Sequence, residues 1–471
     1  MKKNGRFPLF NYIGIVTVVM LLISISFSQT QSSIPAAQGE LVELTSTTLC
    51  NRCLGYYLPG RLIPSPRAAY RIDSDLPEMY SGNGILYATI PVLPPMKTKS
   101  GQDIPEDMRC QINAGFNAVD DSFEVFLYHL SGNHSPGETR RIVIYARNIG
   151  AEHVELMPRQ SMHHGPNAGK MGSVESLLGE DVLTEKWEHP VASVVLAPGE
   201  GGIIGYSRQL GSTRNTEDET TALFVTGILR AHFLPSTPPG ARLELFVVSI
   251  PGNRPKSEWG RITEGLLDVG AQSGEGAMDL LIPPPQCHVR RVVGTARNWM
   301  WRGDLFQLDV NTLKPEGAPF LMALPKVQSG GCEMARQTAD LLLHPPYVHS
   351  DSVGNFMMEY KLTFRLTNTG NVPRKFDVHF GKNDARIGLA WQAALGDKDI
   401  PLTDLEKLPV FIGWAGKGTP GLAPPFYSES MLSTLGGPCS LEPGSSRVLN
   451  LRLMVLGTSS LPYHLIIRPA P

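Results

Sequence analysis

Between Tyr360 and Phe380, apolar and polar residues change places at nearly every step. Tyr360, Leu362, Phe364 and Leu366 alternate with Lys361, Thr363, Arg365 and Thr367; Phe376, Val378 and Phe380 alternate with Lys375, Asp377 and His379. A period of two is that of a strand with one face buried and one face wet. The intervening Asn368-Thr369-Gly370-Asn371-Val372-Pro373 breaks the run, because Gly and Asn tolerate positive φ and Pro cannot donate to a ladder. The pattern predicts a β-hairpin with Lys361, Thr363 and Arg365 on its wet face.

Other stretches carry strand signals of two kinds. Phe123 to Leu130 and Arg141 to Asn148 are apolar at nearly every position, as strands covered on both faces are. After the turn Asn148-Ile149-Gly150 an alternation resumes at Val154 and Leu156. Pro198-Gly199-Glu200 is a turn leading into Ile203-Ile204-Gly205-Tyr206, and Leu223 to Arg230 and Leu243 to Ile250 follow. The order recurs. Ile144 to Gly150 answers Phe364 to Gly370, each a strand closed by Asn-x-Gly, and Leu196-Ala197-Pro198-Gly199-Glu200 answers Leu441-Glu442-Pro443-Gly444-Ser445. Several short strands separated by turn signals make a β-sandwich.

The expected fold is therefore all-β: two β-sandwich (Ig-like) domains joined by a connector with a short helix and a strand pair. The first sandwich occupies residues 116–251, the connector 252–345 and the second sandwich 346–471. Within the connector, Ser257-Glu258-Trp259 with Ile262, Leu266 and Leu267 predicts the helix. Pro283-Pro284-Pro285 is a stiff spacer. Val289 to Ala296 and Trp299 to Val310 read as a β-hairpin packed on one of the sandwiches. Residues 29–115 read as an irregular N-terminal region with one strand, Gly84 to Ile90.

Composition adds a compartment. The 471 residues allow about two to three domains, and 47 glycines with 39 prolines imply many turns and few long helices. A net charge of -2 gives no electrostatic reason to expect nucleic acid or an anionic membrane surface as partner. Lys2, Lys3 and Arg6, the apolar run Ile13 to Phe27 and the small residues from Ser26 onward have the order of a secretory signal peptide, residues 1–28, with cleavage after Ser28. The competing reading is a retained anchor, for which the run is short. The membrane then enters only through the export signal. In an oxidising compartment Cys50, Cys53, Cys110, Cys287, Cys332 and Cys439 are disulfide candidates of undetermined pairing. Cys50-Asn51-Arg52-Cys53 lacks the following helix that a redox motif needs, given Gly55 and Pro59-Gly60.

Leu58-Pro59-Gly60, Leu76-Pro77-Glu78 followed by Gly84-Ile85-Leu86, the Phe123 to His129 strand, Ser257-Glu258-Trp259 with Leu266-Leu267, and Val292 to Ala296 occur in this order along the chain. Together with Tyr360 to Leu366 and Asn368, this series resembles a family of secreted bacterial proteins, frequent in cyanobacteria, known as domain of unknown function 3370. The six cysteines and Met162-His163-His164 are not part of that pattern. The resemblance implies secretion and brings no activity, cofactor or catalytic residue.

Catalytic motifs fail on inspection. Gly205-Tyr206-Ser207-Arg208-Gln209 lacks the final glycine of a nucleophile elbow. Gly416-Lys417-Gly418-Thr419 puts Gly where a P-loop needs Ser or Thr, and Gly199 to Gly205 leads into a strand where a dinucleotide fingerprint needs a helix. Weak ligand candidates remain. His163 and His164, with Met162 and Met171 in a Gly- and Pro-bearing loop and with His153 and His189 nearby in sequence, carry donors suited to copper, against the plainer reading of an exposed polar loop. Trp299 and Trp301, flanked by Arg297 and Arg302, share one face of a strand: a sugar-stacking platform if exposed, ordinary core if buried. Trp391 and Trp414 pose the same choice, and Asn133-His134-Ser135 is a glycosylation triplet. No cofactor is expected. The sequence points to a secreted, non-catalytic structural or binding protein of the periplasm or cell surface with a cell-surface, glycan or protein partner; the rival is a surface enzyme acting on polysaccharide or peptide.

Overall fold

The computed structural model describes residues 43–44, 55–57, 60–80, 84–89, 122–131, 138–166, 171–211, 222–239, 241–271, 292–322, 341–343, 357–382, 387–415, 426–456 and 463–470. The signal segment, the glycosylation triplet and all cysteines except Cys439 lie outside them. Leu41–Pro471 forms one compact unit, and Met1–Glu40 lies outside the described residues.

In chain order the first strands are β1 (Glu43–Leu44), β2 (Gly55–Tyr57), β3 (Gly60–Pro64), β4 (Tyr70–Tyr80), β5 (Gly84–Ala88), β6 (Phe123–Ser131), β7 (Arg140–Asn148) and β8 (Val154–Gly165). Helix α1 (Met171–Thr184) precedes β9 (Val194–Leu196), β10 (Gly201–Tyr206), β11 (Phe224–Phe233) and β12 (Leu243–Pro251), and α2 (Lys256–Ala271) follows. Then come β13 (Val292–Arg297), β14 (Trp299–Asp309), β15 (Ala318–Met322), β16 (Leu341–Leu343), β17 (Glu359–Thr367), β18 (Arg374–Lys382) and β19 (Ile387–Gly396). The chain closes with α3 (Leu402–Leu405), β20 (Phe411–Ala415), β21 (Phe426–Tyr427), β22 (Cys439–Leu441), β23 (Ser446–Val455) and β24 (Tyr463–Pro469). The all-β expectation holds at this level, with few helices.

Four sheets result. Sheet I is β10-β7-β12-β5, sheet II β16-β13-β4-β6-β11-β8-β9, sheet III β20-β19-β23-β17-β14-β3, and sheet IV β1-β2-β15-β24-β18-β21 with β22 also on β18. Sheets I and II share a core that includes Ile72, Val125, Leu127, Ile144, Leu156, Leu229 and Leu243. Sheets III and IV share another around Phe306, Phe320 and Phe364, whose ring centroids lie 5.1 to 6.1 Å apart. The outer face of sheet II, through Phe126, Tyr128, Phe224 and Ile228, packs with α1 and with Met357, Ala390, Met454 and Leu456 on the outer face of sheet III. Helix α2 caps the outer face of sheet I with Trp259 and Leu267. β6 and β7 are thus covered on both faces, which is why their apolar runs do not alternate.

Helix α1 went unread in the sequence. Val174, Leu178 and Val182 recur at helical spacing and are buried, but Gly179 interrupts the stretch and weakens the propensity signal by about 1 kcal/mol. Its reason is contact. A Cβ there would sit 2.7 Å from Leu456 Cδ2 and 3.1 Å from the Ala390 side chain, so glycine lets the helix axis approach sheet III.

Three expectations need correction. The Tyr360 to Phe380 stretch is not a hairpin: β17 bonds β14 and β23 inside sheet III, and β18 bonds β24, β21 and β22 inside sheet IV. β7 and β8 likewise belong to sheets I and II. Alternation reports which face is buried and is silent about which strand is the partner, so an arch across a core and a hairpin within a sheet look alike. Nor is the outer face of β17 wet, since Lys361 and Thr363 are buried, both bonding the Asp399 carboxylate at 3.0 and 3.2 Å; Arg365 alone of the three is exposed. Second, the N-terminal region holds β1 to β5 and gives at least one strand to each of the four sheets. Third, β13 and β14 form no hairpin: with only Asn298 between them, β13 joins sheet II and β14 joins sheet III.

The recurrence of Asn-x-Gly with Leu-x-Pro-Gly has a physical basis. The buried Asn148 amide donates to the carbonyls of Glu152 and Leu196 at 2.7 and 2.9 Å, and its oxygen accepts from Gly150 N–H. Asn368 does the same with Val372, Leu441 and Gly370, at 2.8, 2.8 and 3.0 Å. Each backbone N–H bonds Glu200 or Ser445, and each carbonyl accepts from Gly199 or Gly444. Those two glycines take φ of 77° and 72°, which a side chain would strain. The pairings follow suit: β6-β11, β11-β8, β8-β9 and β7-β10 match β15-β24, β24-β18, β18-β22 and β17-β23, all antiparallel. Replacing Asn148 or Asn368 by Ala leaves two carbonyls and a glycine N–H without their partner, and each variant should lose about 2–4 kcal/mol in denaturant unfolding. A loss under about 0.5 kcal/mol at both would show that the asparagines do not lock the arches.

Candidate functional site

The outer faces of sheets II and III carry apolar side chains where they pack with α1. Beside that cluster, at the C-terminal end of α1, they carry charge. Along sheet II, Arg71 on β4, Glu124 on β6, Arg230 on β11 and Arg159 on β8 are successive cross-strand partners. Arg71 Nε donates to Asp73 at 2.7 Å and its Nη1 lies 3.4 Å from Glu124. Arg230 bonds the other Glu124 oxygen at 3.0 Å and both oxygens of Glu185 at 3.1 and 2.9 Å. Opposite, Arg452 on β23 grips Glu359 on β17 through two nitrogens at 2.6 and 3.2 Å, with Gln392 on β19 at 2.7 Å.

Contacts between the two sets tie the sheets together. Arg67, in the loop between β3 and β4, pairs with Glu359 and lies 3.9 Å from Glu185. Arg71 Nη1 donates to the Met357 carbonyl at 3.3 Å, and Arg452 Nη1 donates to the Leu183 carbonyl in the last turn of α1 at 3.2 Å. A cation at a helix C-terminus meets both the unsatisfied carbonyls and the negative end of the dipole. Arg71, Arg230, Arg452, Glu124 and Glu359 are all nearly inaccessible to solvent.

Glu185 closes the network at its exposed rim. It follows the last residue of α1 with a φ of 56°, a conformation usual for glycine and uncommon for a residue with a side chain. The carboxylate that Arg230 holds also accepts from Trp187 Nε1 at 2.9 Å, and the Arg230 guanidinium lies 4.4 Å over the Trp187 ring. That strained backbone brings carboxylate and indole together on one guanidinium.

Burial pushes the Glu359 carboxyl up, but Arg67 and then Arg452 outweigh it and hold it below the ordinary range. Burial pushes Asp73 up, and Arg71 only partly offsets this. Burial would lower Arg230, yet Glu124 and Glu185 raise it. A carboxylate held ionised between two guanidinium groups is a poor proton donor near neutral pH, so this geometry serves attachment.

The sequence candidates are dispersed. The expected histidine loop is strand β8, on which adjacent side chains point to opposite faces. His163 Nε2 meets Asp181 of α1 at 2.8 Å; His164 Nε2, on the other face, accepts the Arg208 N–H at 2.9 Å. The two imidazoles therefore do not converge on one point. His153 bonds the Ser236 carbonyl and His189 the Pro158 carbonyl. Ser161 Oγ lies 3.1 Å from His163 Nε2 and donates to the Asp181 oxygen that meets the same nitrogen, so hydroxyl and carboxylate share one ring nitrogen where a nucleophile relay needs one on each. Trp301 and Trp391 are core residues, Trp299 is half-buried and Trp414 packs on the sheet II–III layer. The stacking platform does not exist at Trp301. Ser207 is buried with its hydroxyl bonded to the Arg208 carbonyl. Cys439 is a half-buried free thiol, its pKa raised by burial. Among the described residues no cluster of three or more His, Cys, Asp or Glu could hold a metal ion. No helix there is long and apolar enough to cross a membrane.

No family model and no curated protein matches the chain. Among solved structures, a Bacillus thuringiensis Cry1Da tryptic core variant is 16% identical over 38% of this chain and 28% of that one, at a TM-score of 0.16. So low a score carries no argument.

Two outcomes follow. Glu359→Gln leaves Arg67 and Arg452 without their shared counter-charge and should destabilise the protein by about 3–5 kcal/mol at pH 7. Urea unfolding measures this, and a change below about 1 kcal/mol would contradict the network. Acid sensitivity should come mainly from His164, whose value burial, then Arg208, depress from 6.5 to about 3, with a smaller share from His232, which burial and then Arg159 also lower. The unfolded chain binds a proton below pH 6.5 that the folded chain resists, so stability falls from that pH downward, by at most about 1.4 kcal/mol per unit. His164→Gln keeps an acceptor for Arg208 and should flatten that slope between pH 6.5 and 4; an unchanged slope would assign the acid response elsewhere.

Proposed function

We propose that this protein is a secreted, non-catalytic structural or binding component of the periplasm or cell surface, built on two Ig-like β-sandwich domains. The supporting observation is the ion network: its buried acids and bases hold one another, and with them two sheet pairs, in a fixed arrangement. Chemistry needs groups that can change partners or protonation state near pH 7. Here Glu359 is clasped by Arg67 and Arg452, and the Ser161 hydroxyl and the His163 imidazole end on one carboxylate oxygen. Such a frame suits presentation of surfaces at a constant separation. The sandwich reading draws on the shared cores and on the matching strand pairings of the two halves. The surface-enzyme alternative would need an acid–base pair in an open cleft, and the observations favour it less.

Protein recovered from the envelope fraction of its host should have an intact mass that starts near Gln29 and be retained by purified envelope polysaccharide or protein without converting it. A mature chain still carrying Met1 would replace secretion by anchoring. Release of reducing ends or new peptide termini on incubation would replace the binding reading by the enzyme.

A further inference from the structure

One cross-strand row on the outer face of sheet III breaks the rule that like charges avoid direct register. Arg61 on β3, Arg302 on β14, Lys361 on β17 and Arg452 on β23 are successive partners, all cationic. Like charges placed opposite one another destabilise a sheet. At the buried end the repulsion is met from within, Arg452 by Glu359 and Lys361 by Asp399. At the β3 edge it is not. Arg61 and Arg302 are exposed and make no ion pair among the described residues. Leu305, two-fifths exposed, and Gln307 and Arg365, both exposed, continue the same outer face toward the next rows of β14 and β17. Asp304 is the exposed acid beside them in sequence.

We propose that this edge of sheet III binds an acidic polysaccharide, with Arg61 and Arg302 taking carboxylate groups of its uronate units. The inference rests on the binding reading above and names its ligand class. Two exposed arginines adjacent in register each offer a planar donor fork, which a carboxylate accepts in two-pronged fashion. A polymer lying over β3 and β14 would meet Arg61 and Arg302 in one row and, running on along the same face past Leu305, which offers apolar surface for a sugar ring, Arg365 in the row of Gln307. A neutral glycan would leave the cations uncompensated.

The test uses the mature full-length chain, polygalacturonate as probe and dextran as its neutral control, with duplex DNA and phosphatidylglycerol vesicles as other polyanions. Wild type should bind polygalacturonate and not dextran, and binding should weaken as salt rises from about 0.05 to about 0.5 M. The Arg61→Gln/Arg302→Gln double variant should bind at least about tenfold more weakly while its melting temperature stays the same or rises. Arg447→Gln removes an exposed arginine elsewhere and should bind as wild type does. Undiminished binding by the double variant, or tighter binding of DNA or vesicles than of polygalacturonate, overturns the proposal. Retention on purified envelope polysaccharide without affinity for polygalacturonate would overturn it too and leave the binding reading standing; loss of both would remove the two together.

Discussion

A guanidinium group removed from water must be met by carboxylates and carbonyls on every side, and the alignment of sheets II and III follows from that demand. Arg71, Arg230 and Arg452 sit at the facing surfaces of two layers, and each finds part of its shell on the other layer or on α1. The desolvation cost of such groups is of the same order as their mutual attraction, so the network adds little net stability. What it supplies is a penalty for misalignment. A slip of one residue between the layers would strand several charges at once. The apolar contacts of Phe126, Ile228, Leu178 and Met454 provide the attraction, and the ions fix where it is realised.

Connectivity reinforces the same end. The segment from β1 to β5 supplies strands to all four sheets, and β13 to β16 return to sheets II, III and IV. The two sheet pairs are therefore joined covalently at β3 to β4 and at β13 to β14, each a short link from one pair to the other. Arg67 occupies the short passage from β3 in sheet III to β4 in sheet II, and there it reaches Glu359 and Glu185. The crossing chain and the ion network meet at this residue, which makes the passage both a covalent and an electrostatic tie.

What the sequence made legible follows from what periodicity encodes. Strand type, two-sided burial of β6 and β7, and the paired Asn-x-Gly turns were readable, because each leaves a local signature in residue spacing. Partner choice was not. The arch between β17 and β18 and the separation of β13 from β14 depend on contacts far apart in sequence, to which alternation is indifferent. The network escaped for a related reason: Glu124 and Arg230 are single charges in otherwise apolar strands, and only the register of β6 against β11 makes them neighbours. Lys361 was misplaced because a polar residue at an alternate position normally faces water; here Asp399 covers it. A charged residue inside a run that is apolar at nearly every other position was the signal available for Glu124, and it pointed to a buried partner.

The two halves repeat in their frames and differ in their insertions, and the difference explains where the joint lies. Between β8 and β9 the first half inserts α1; between β18 and β22 the second inserts β19, α3, β20 and β21. These are the elements that meet. α1 packs on Ala390 of β19 through Gly179, Arg452 donates to the carbonyl of Leu183 in the last turn of α1, and Gln392, Asp399 and Glu406 of the second insertion bond Arg452 and Lys361. Residues outside the insertions, including Glu124, Arg230 and Glu359, complete the shell from the shared strands. A repeated frame by itself would present like surfaces to one another, with no reason to dock in one orientation. Unlike insertions at equivalent places convert that symmetry into a single complementary fit, while the opposite ends of the sheets, such as the β3 edge with Arg61 and Arg302, stay open to solvent.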